Sequence, residues 1–153
     1  MKPEFLNYLQ QDSILLVKGE NKTNVFEDII AYVCSLCTLT DTQVRTAIWK
    51  RERMMTTGVG KGLALPHIRI SGFTSPLVVV AVCKEPIPVS EYKSVDNEPI
   101  SLVVFFAADE RDPQAYLRIL GSITAKLKEK GVISDILAAG DDTSKIYDIL
   151  SAE

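Results

Sequence analysis

Apolar residues along this chain recur with two periods, and the alternation between them predicts the order of elements. Ile14–Val17 is a short apolar run closed by Lys18-Gly19, and it predicts a strand. Behind a cap at Thr23 or Asn24, residues Phe26, Ile29, Ile30, Val33 and Cys37 follow helical spacing and define one buried face. Thr40 and Gln43 stand at capping-box spacing, where each side chain can satisfy an orphan amide at a helix start. Val44, Ala47 and Ile48 continue that second helix on one face, and it should end near Met54, before the glycines. Leu77–Cys83 and Ile100–Phe106 are unbroken apolar runs, typical of strands covered on both faces, and Pro86 and Pro88 should end the first. Asp112-Pro113 predicts a helix start; Leu117, Leu120, Ile123 and Leu127 mark its face, and Gly131 its stop. Two short helices should follow, one ending at Gly140 and one from Thr143 to Ser151. Helices before, between and after buried strands predict an α/β protein with one sheet and helices packed on both faces.

Composition narrows the function classes. The 153 residues predict one domain, 1–153, with no repeat, linker or low-complexity segment. With 17 basic and 20 acidic residues the net charge is −3, so no general attraction to phosphate backbones exists and nucleic acid is not an expected partner. Met1-Lys2-Pro3-Glu4 lacks the apolar stretch of a signal peptide. The apolar runs Leu77–Cys83 and Leu102–Ala108 are far too short to enter a membrane, and the three cysteines have no framework spacing. A cytoplasmic location with reduced thiols is expected.

The one histidine, His67, follows a glycine-rich stretch, Thr57-Gly58-Val59-Gly60-Lys61-Gly62-Leu63-Ala64-Leu65-Pro66. Glycines at 58, 60 and 62 permit close backbone approach, so this loop could set amides against an anion. Lys50, Arg51 and Arg53 end the preceding helix, and Arg69 would share a side with His67 on an extended segment. A lone imidazole among guanidinium groups and glycines suits a phosphorylatable histidine: the neutral ring nitrogen attacks, and the arginines offset charge on the phosphoryl group. The competing reading is an inert, hydrogen-bonded histidine at a strand end. Nucleotide motifs do not fit, because Lys61 is followed by Gly62 and the loop follows a helix rather than a strand. One histidine and scattered cysteines offer no metal ligand set. Cys34 and Cys37 form C-x-x-C, but on an apolar helical face away from a helix start, where two small buried hydrophobes are expected and a redox pair is not.

Arg51-Glu52, a four-residue gap, then Thr57-Gly58-Val59-Gly60-Lys61-Gly62-Leu63-Ala64-Leu65-Pro66-His67 resembles the active-site signature of the fructose–mannitol type (type 2) enzyme IIA domains of the bacterial phosphoenolpyruvate-dependent phosphotransferase system. The order of segments agrees from Leu6 to Leu150. The resemblance implies a three-layer sandwich, with a mixed β-sheet between two layers of helices. It implies that His67 receives phosphate from the phosphohistidine of HPr or a similar phosphocarrier protein, that Arg51 contacts the phosphoryl group, and that no metal or nucleotide cofactor takes part. The partner downstream would be a IIB domain in sugar uptake, or a regulated protein in the nitrogen-regulatory branch. Thr57, Gly58, Gly60 and Arg69 are further candidates for positioning phosphate. Two positions depart from the family pattern. Ile68 stands where Gly or Ala is usual, and Tyr116 takes the place of a second histidine at the start of the helix after the last strand. A phenol donates a hydrogen bond but carries no positive charge, so a longer-lived phosphorylated form is expected.

Overall fold

Strands β5 (Leu77–Ile87) and β6 (Ile100–Ala108) run antiparallel through the middle of the sheet in the computed structural model, which describes residues 2–153. Their Val-rich sequences suit that position, because β-branched side chains pack well on a pleated surface buried from both sides. β1 (Ile14–Gly19) pairs parallel with β5 at one edge. On the far side of β6 lie β2 (Gly58–Gly60), β3 (Leu63–Ala64) and β4 (His67–Arg69). The strand order is β1-β5-β6-β3-β2, and β4 also pairs with β6. β3 and β4 are parallel to β6 and β2 is antiparallel to β3, so the sheet is mixed.

Alternation along the central strands splits the core into two layers. Val79, Ala81, Val103, Phe105 and Ala107 face helices α1 (Lys22–Leu36) and α2 (Asp41–Met54). Val78, Val80, Val82, Val104 and Phe106 face α3 (Pro113–Lys128), α4 (Val132–Ala138) and α5 (Thr143–Ser151), together with an N-terminal 3-10 turn carrying Phe5 and Leu6. This is the expected three-layer α/β sandwich.

Local signals mostly hold. The Thr40–Gln43 capping box forms, and Asp112 and Asp142 cap α3 and α5. Several expectations need correction. Leu117, read as part of the buried face of α3, is 62% exposed. Cys37, read on the α1 face, lies just past the end of that helix at Leu36, and both Cys34 and Cys37 are only half-buried. Asn21, not Thr23 or Asn24, caps α1, because its side chain accepts the Asn24 amide at 2.8 Å. Pro86 does not end β5: the strand runs on to Ile87 through a register shift, with Pro86 exposed and the edge partner β1 still pairing Gly19 with Glu85. Gly131 does not stop α3, which ends at Lys128; with φ +84° it turns the chain into α4.

Candidate functional site

His67 opens β4, paired with Phe106 of β6, and this register fixes which way its ring points. The ring lies on the α3 side of the sheet, stacked on Phe106 with centroids 5.0 Å apart. Ile68, the next residue, points to the opposite layer and is 3% exposed among the α1 and α2 contacts. The bulk at position 68 is therefore absorbed by the core and does not intrude on the histidine.

Hydrogen bonds assign the tautomer. Nδ1 lies 2.8 Å from the Leu65 carbonyl, which can only accept, so Nδ1 carries the proton. In the neutral ring Nε2 then holds the lone pair. Two donors converge on it: Arg51 Nε at 3.3 Å and the Tyr116 hydroxyl at 3.0 Å. Burial lowers the His67 pKa, and the Arg51 charge adds to the effect; the Leu65 bond and the Glu52 charge oppose it. The net shift is downward, which keeps the ring neutral and nucleophilic.

Each partner arrives from a different layer. Arg51 lies in the last turn of α2, and its Nη1 also donates to the Met55 carbonyl at 2.8 Å, which orients the guanidinium. Tyr116 lies in the first turn of α3, where the Asp112 carboxylate accepts the Ala115 amide at 3.1 Å. An open depression of about 540 Å³ surrounds the ring, bordered by Lys50, Arg51, Met54, Arg69, Glu110 and Tyr116. Arg69 is exposed, with its guanidinium 5.4 Å from the Tyr116 ring centre. The expected cluster of His67, Arg51, Arg69 and Tyr116 is thus assembled at one sheet edge.

The glycine loop takes another role than the cradle read from its sequence. Residues 58–64 fold as the β2–β3 hairpin, and several of its backbone groups are taken by neighbouring segments: the Gly58 carbonyl accepts the Val95 amide at 3.2 Å and the Gly62 carbonyl the Ser101 amide at 2.9 Å. The Lys61 amide donates to Asp96 at 2.8 Å, which together with the Glu98 amide holds the Asp96 pKa low. Gly58 packs so closely that an added Cβ would sit 2.4 Å from the Lys93 carbonyl oxygen, and Gly60 adopts φ +101° beside Asp96. Neither glycine borders the depression. Thr57 is likewise buried, and its hydroxyl donates to Glu52 at 2.8 Å while accepting from Tyr92, so it stands behind the site rather than in it.

Sequence reasoning missed this second layer. Glu52, 7% exposed, accepts the Thr57 amide at 3.1 Å and pairs with Lys22 at 3.0 Å. Lys22 also lies 4.3 Å from the Tyr92 ring centre. A signal existed: Glu52 continues the Val44–Ile48 apolar stripe, and an acid on a buried face needs a partner. The Leu65 carbonyl had no such signal, because backbone acceptors carry no side-chain signature.

A neutral imidazole with one lone pair, faced by a guanidinium and a phenol, is an arrangement that can attack an electron-poor group bearing anionic oxygens. Residues 7–153 match the family model described as phosphoenolpyruvate-dependent sugar phosphotransferase system, EIIA 2, and the chain belongs to that family. It is 27% identical over 138 residues to the fructose-specific EIIABC component of Bacillus subtilis, covering 90% of this chain but only 21% of that protein's length. It is 28% identical over 139 residues to a nitrogen regulatory protein of Pseudomonas aeruginosa, with 90% and 88% of the two chains covered. The fold superposes on nitrogen regulatory protein IIA-Ntr from Neisseria meningitidis with a TM-score of 0.85 at 23% identity, covering 94% and 97% of the chains. It also matches the mannitol enzyme IIA of Escherichia coli, solved in complex with phosphorylated enzyme IIB, with a TM-score of 0.74 at 19% identity and coverage of 95% and 98%. Among the described residues no helix is long and apolar enough to cross a membrane.

Proposed function

We propose that His67 Nε2 accepts a phosphoryl group from the phosphohistidine of an HPr-like phosphocarrier and passes it to a IIB domain. The carrying observation is the tautomer: with Nδ1–H held by Leu65, the lone pair at Nε2 is the attacking atom. Nε2 forms the new N–P bond as the bond to the donor's ring nitrogen breaks, and the donor recovers its lone pair. The proton stays on Nδ1, where the Leu65 carbonyl stabilises the positive charge that the ring acquires. The Arg51 N–H groups and the Tyr116 hydroxyl turn from Nε2 to the phosphoryl oxygens as the group arrives.

Incubation with phosphoenolpyruvate, enzyme I and HPr, followed by intact mass in non-acidic buffer, tests the reading. The parent should gain one phosphoryl group and His67→Ala none, with an unchanged circular dichroism spectrum. A parent that stays unmodified overturns it.

A second reading, favoured by Tyr116, is a regulatory module whose phosphorylated form binds or releases another protein. A neutral phenol stabilises the departing group less than a cation does, so the phosphorylated form should persist. Slow transfer to a IIB acceptor alongside fast uptake from HPr would select this reading; fast transfer in both directions would select the first.

A further inference from the structure

Glu52 is buried, charged and does not border the depression, so the phosphoryl-transfer chemistry leaves it without a task. Its hydrogen bonds lead to His67 in three steps. The carboxylate accepts the Thr57 amide at 3.1 Å and the Thr57 hydroxyl at 2.8 Å. The Thr57 carbonyl accepts the Leu65 amide at 2.9 Å. The Leu65 carbonyl then accepts His67 Nδ1–H at 2.8 Å. Every donor along this path points back towards the carboxylate.

We propose that Glu52 is the positioning residue that sets the His67 tautomer, acting through Thr57 and Leu65 rather than by contact with the ring. Two effects combine. Thr57 is gripped at its amide and its hydroxyl, which fixes the strand that aims the Leu65 carbonyl at Nδ1. The negative charge lies on the Nδ1 side of the relay, so it favours the proton on Nδ1 and leaves Nε2 bare. Carboxylates that touch a histidine directly orient it in the same way; here two backbone groups intervene.

The surroundings keep the carboxylate in place. Lys22 pairs with it at 3.0 Å, and the Tyr92 hydroxyl completes the shell through Thr57. A buried acid held by an ammonium, an amide and a hydroxyl is satisfied, so its position is well determined. Arg51 is its neighbour on α2, so the same anchor steadies the residue that faces Nε2 from the other side.

This inference rests on His67 as the phosphoryl acceptor for its kinetic consequence, but its first readout needs no phosphate. His67 is the only histidine in the chain, so its two ring nitrogens give unambiguous NMR signals. In the parent the nitrogen shifts should report Nδ1–H as the dominant neutral tautomer. Glu52→Gln should move them towards a mixture of the two tautomers, and should lower kcat for uptake by about tenfold or more while KM for the phosphocarrier changes by less than about twofold. Thr57→Val, which removes the hydroxyl's bonds to Glu52 and Tyr92 at nearly constant volume but keeps the Thr57 amide on Glu52, should shift both readouts in the same direction by less, and it decides the matter should Glu52→Gln fail to fold. A folded Glu52→Gln with the parent's tautomer and kcat overturns the inference. So does a folded Thr57→Val with parental values when Glu52→Gln cannot be obtained. A parent that takes up no phosphate defeats the function proposed above, while the nitrogen shifts still test Glu52.

Discussion

Two donors share one lone pair at His67 Nε2, and the quality of each decides what the site can do. Arg51 supplies a planar fork that can hold two phosphoryl oxygens at once, whereas a lysine offers a point charge on a flexible stem. A hydrogen bond to a charged group contributes about 1.5–3 kcal/mol, so Arg51→Lys should slow uptake from the phosphocarrier by roughly tenfold to a hundredfold. Stopped-flow or quench kinetics would measure it, and a rate equal to the parent's removes Arg51 from the transition state. Protonation of Nε2 abolishes the lone pair, so uptake follows the neutral ring. Burial, with help from Arg51, lowers the His67 pKa. The rate should therefore be flat through neutral pH and fall only on acidification below the ordinary histidine value of about 6.5. Half-loss at or above that value would contradict the shift. The linkage sign agrees: a depressed folded pKa means the unfolded chain binds the proton more tightly, so the contribution to stability is present above the unfolded pKa and lost as pH falls through the folded one.

Elements meet at this site because their ends are defined locally. Arg51 and Glu52 lie in the last turn of α2, whose start is set by the Thr40–Gln43 box, while Tyr116 lies in the first turn of α3, whose start is set by Asp112. The β2–β3 hairpin is the third element; close packing accounts for Gly58, and left-handed backbone for Gly60 and Gly62. A methyl group at position 58 would meet the Lys93 carbonyl oxygen at 2.4 Å and the Ser94 Cα at 2.9 Å, both backbone atoms that cannot swing aside. Gly58→Ala should therefore cost about 1–3 kcal/mol of stability, read as a lower denaturant midpoint at unchanged slope. Because Thr57 adjoins Gly58 and carries the relay to His67, uptake should slow as well. A variant with parental stability would show that residues 93–94 yield more easily than their packing indicates.

At the scale of the whole molecule, one sheet serves both helical layers. Every second residue of β5 and β6 belongs to one layer and the residues between them to the other, so neither layer has a core without the shared strands. Unfolding should accordingly be a single transition. Trp49 is the only tryptophan and packs against Phe26 in the α1–α2 layer, with ring centroids 4.9 Å apart, so its fluorescence reports one layer while far-ultraviolet circular dichroism reports both. The two denaturation curves should coincide. Separated midpoints would mean that the layers come apart in turn.

Periodicity, caps and the run from Arg51 to His67 determined the order of the helices and longer strands, the two covered strands and the family resemblance, because each of these signals is local; the short β2 and β3 strands stayed hidden among the glycines. Val79 beside Val80, or Phe105 beside Phe106, reads as one apolar run in sequence, and only pairing in the sheet assigns them to opposite layers. The sequence put Arg51 near the end of α2, but its approach to Nε2 depends on β4 pairing beside β6. The tautomer lay furthest from view. It is set by a backbone carbonyl, and behind that by a carboxylate fifteen positions earlier in the chain. Hydrogen bonds of that kind depend on distance and direction in space, which residue types and their spacing do not encode.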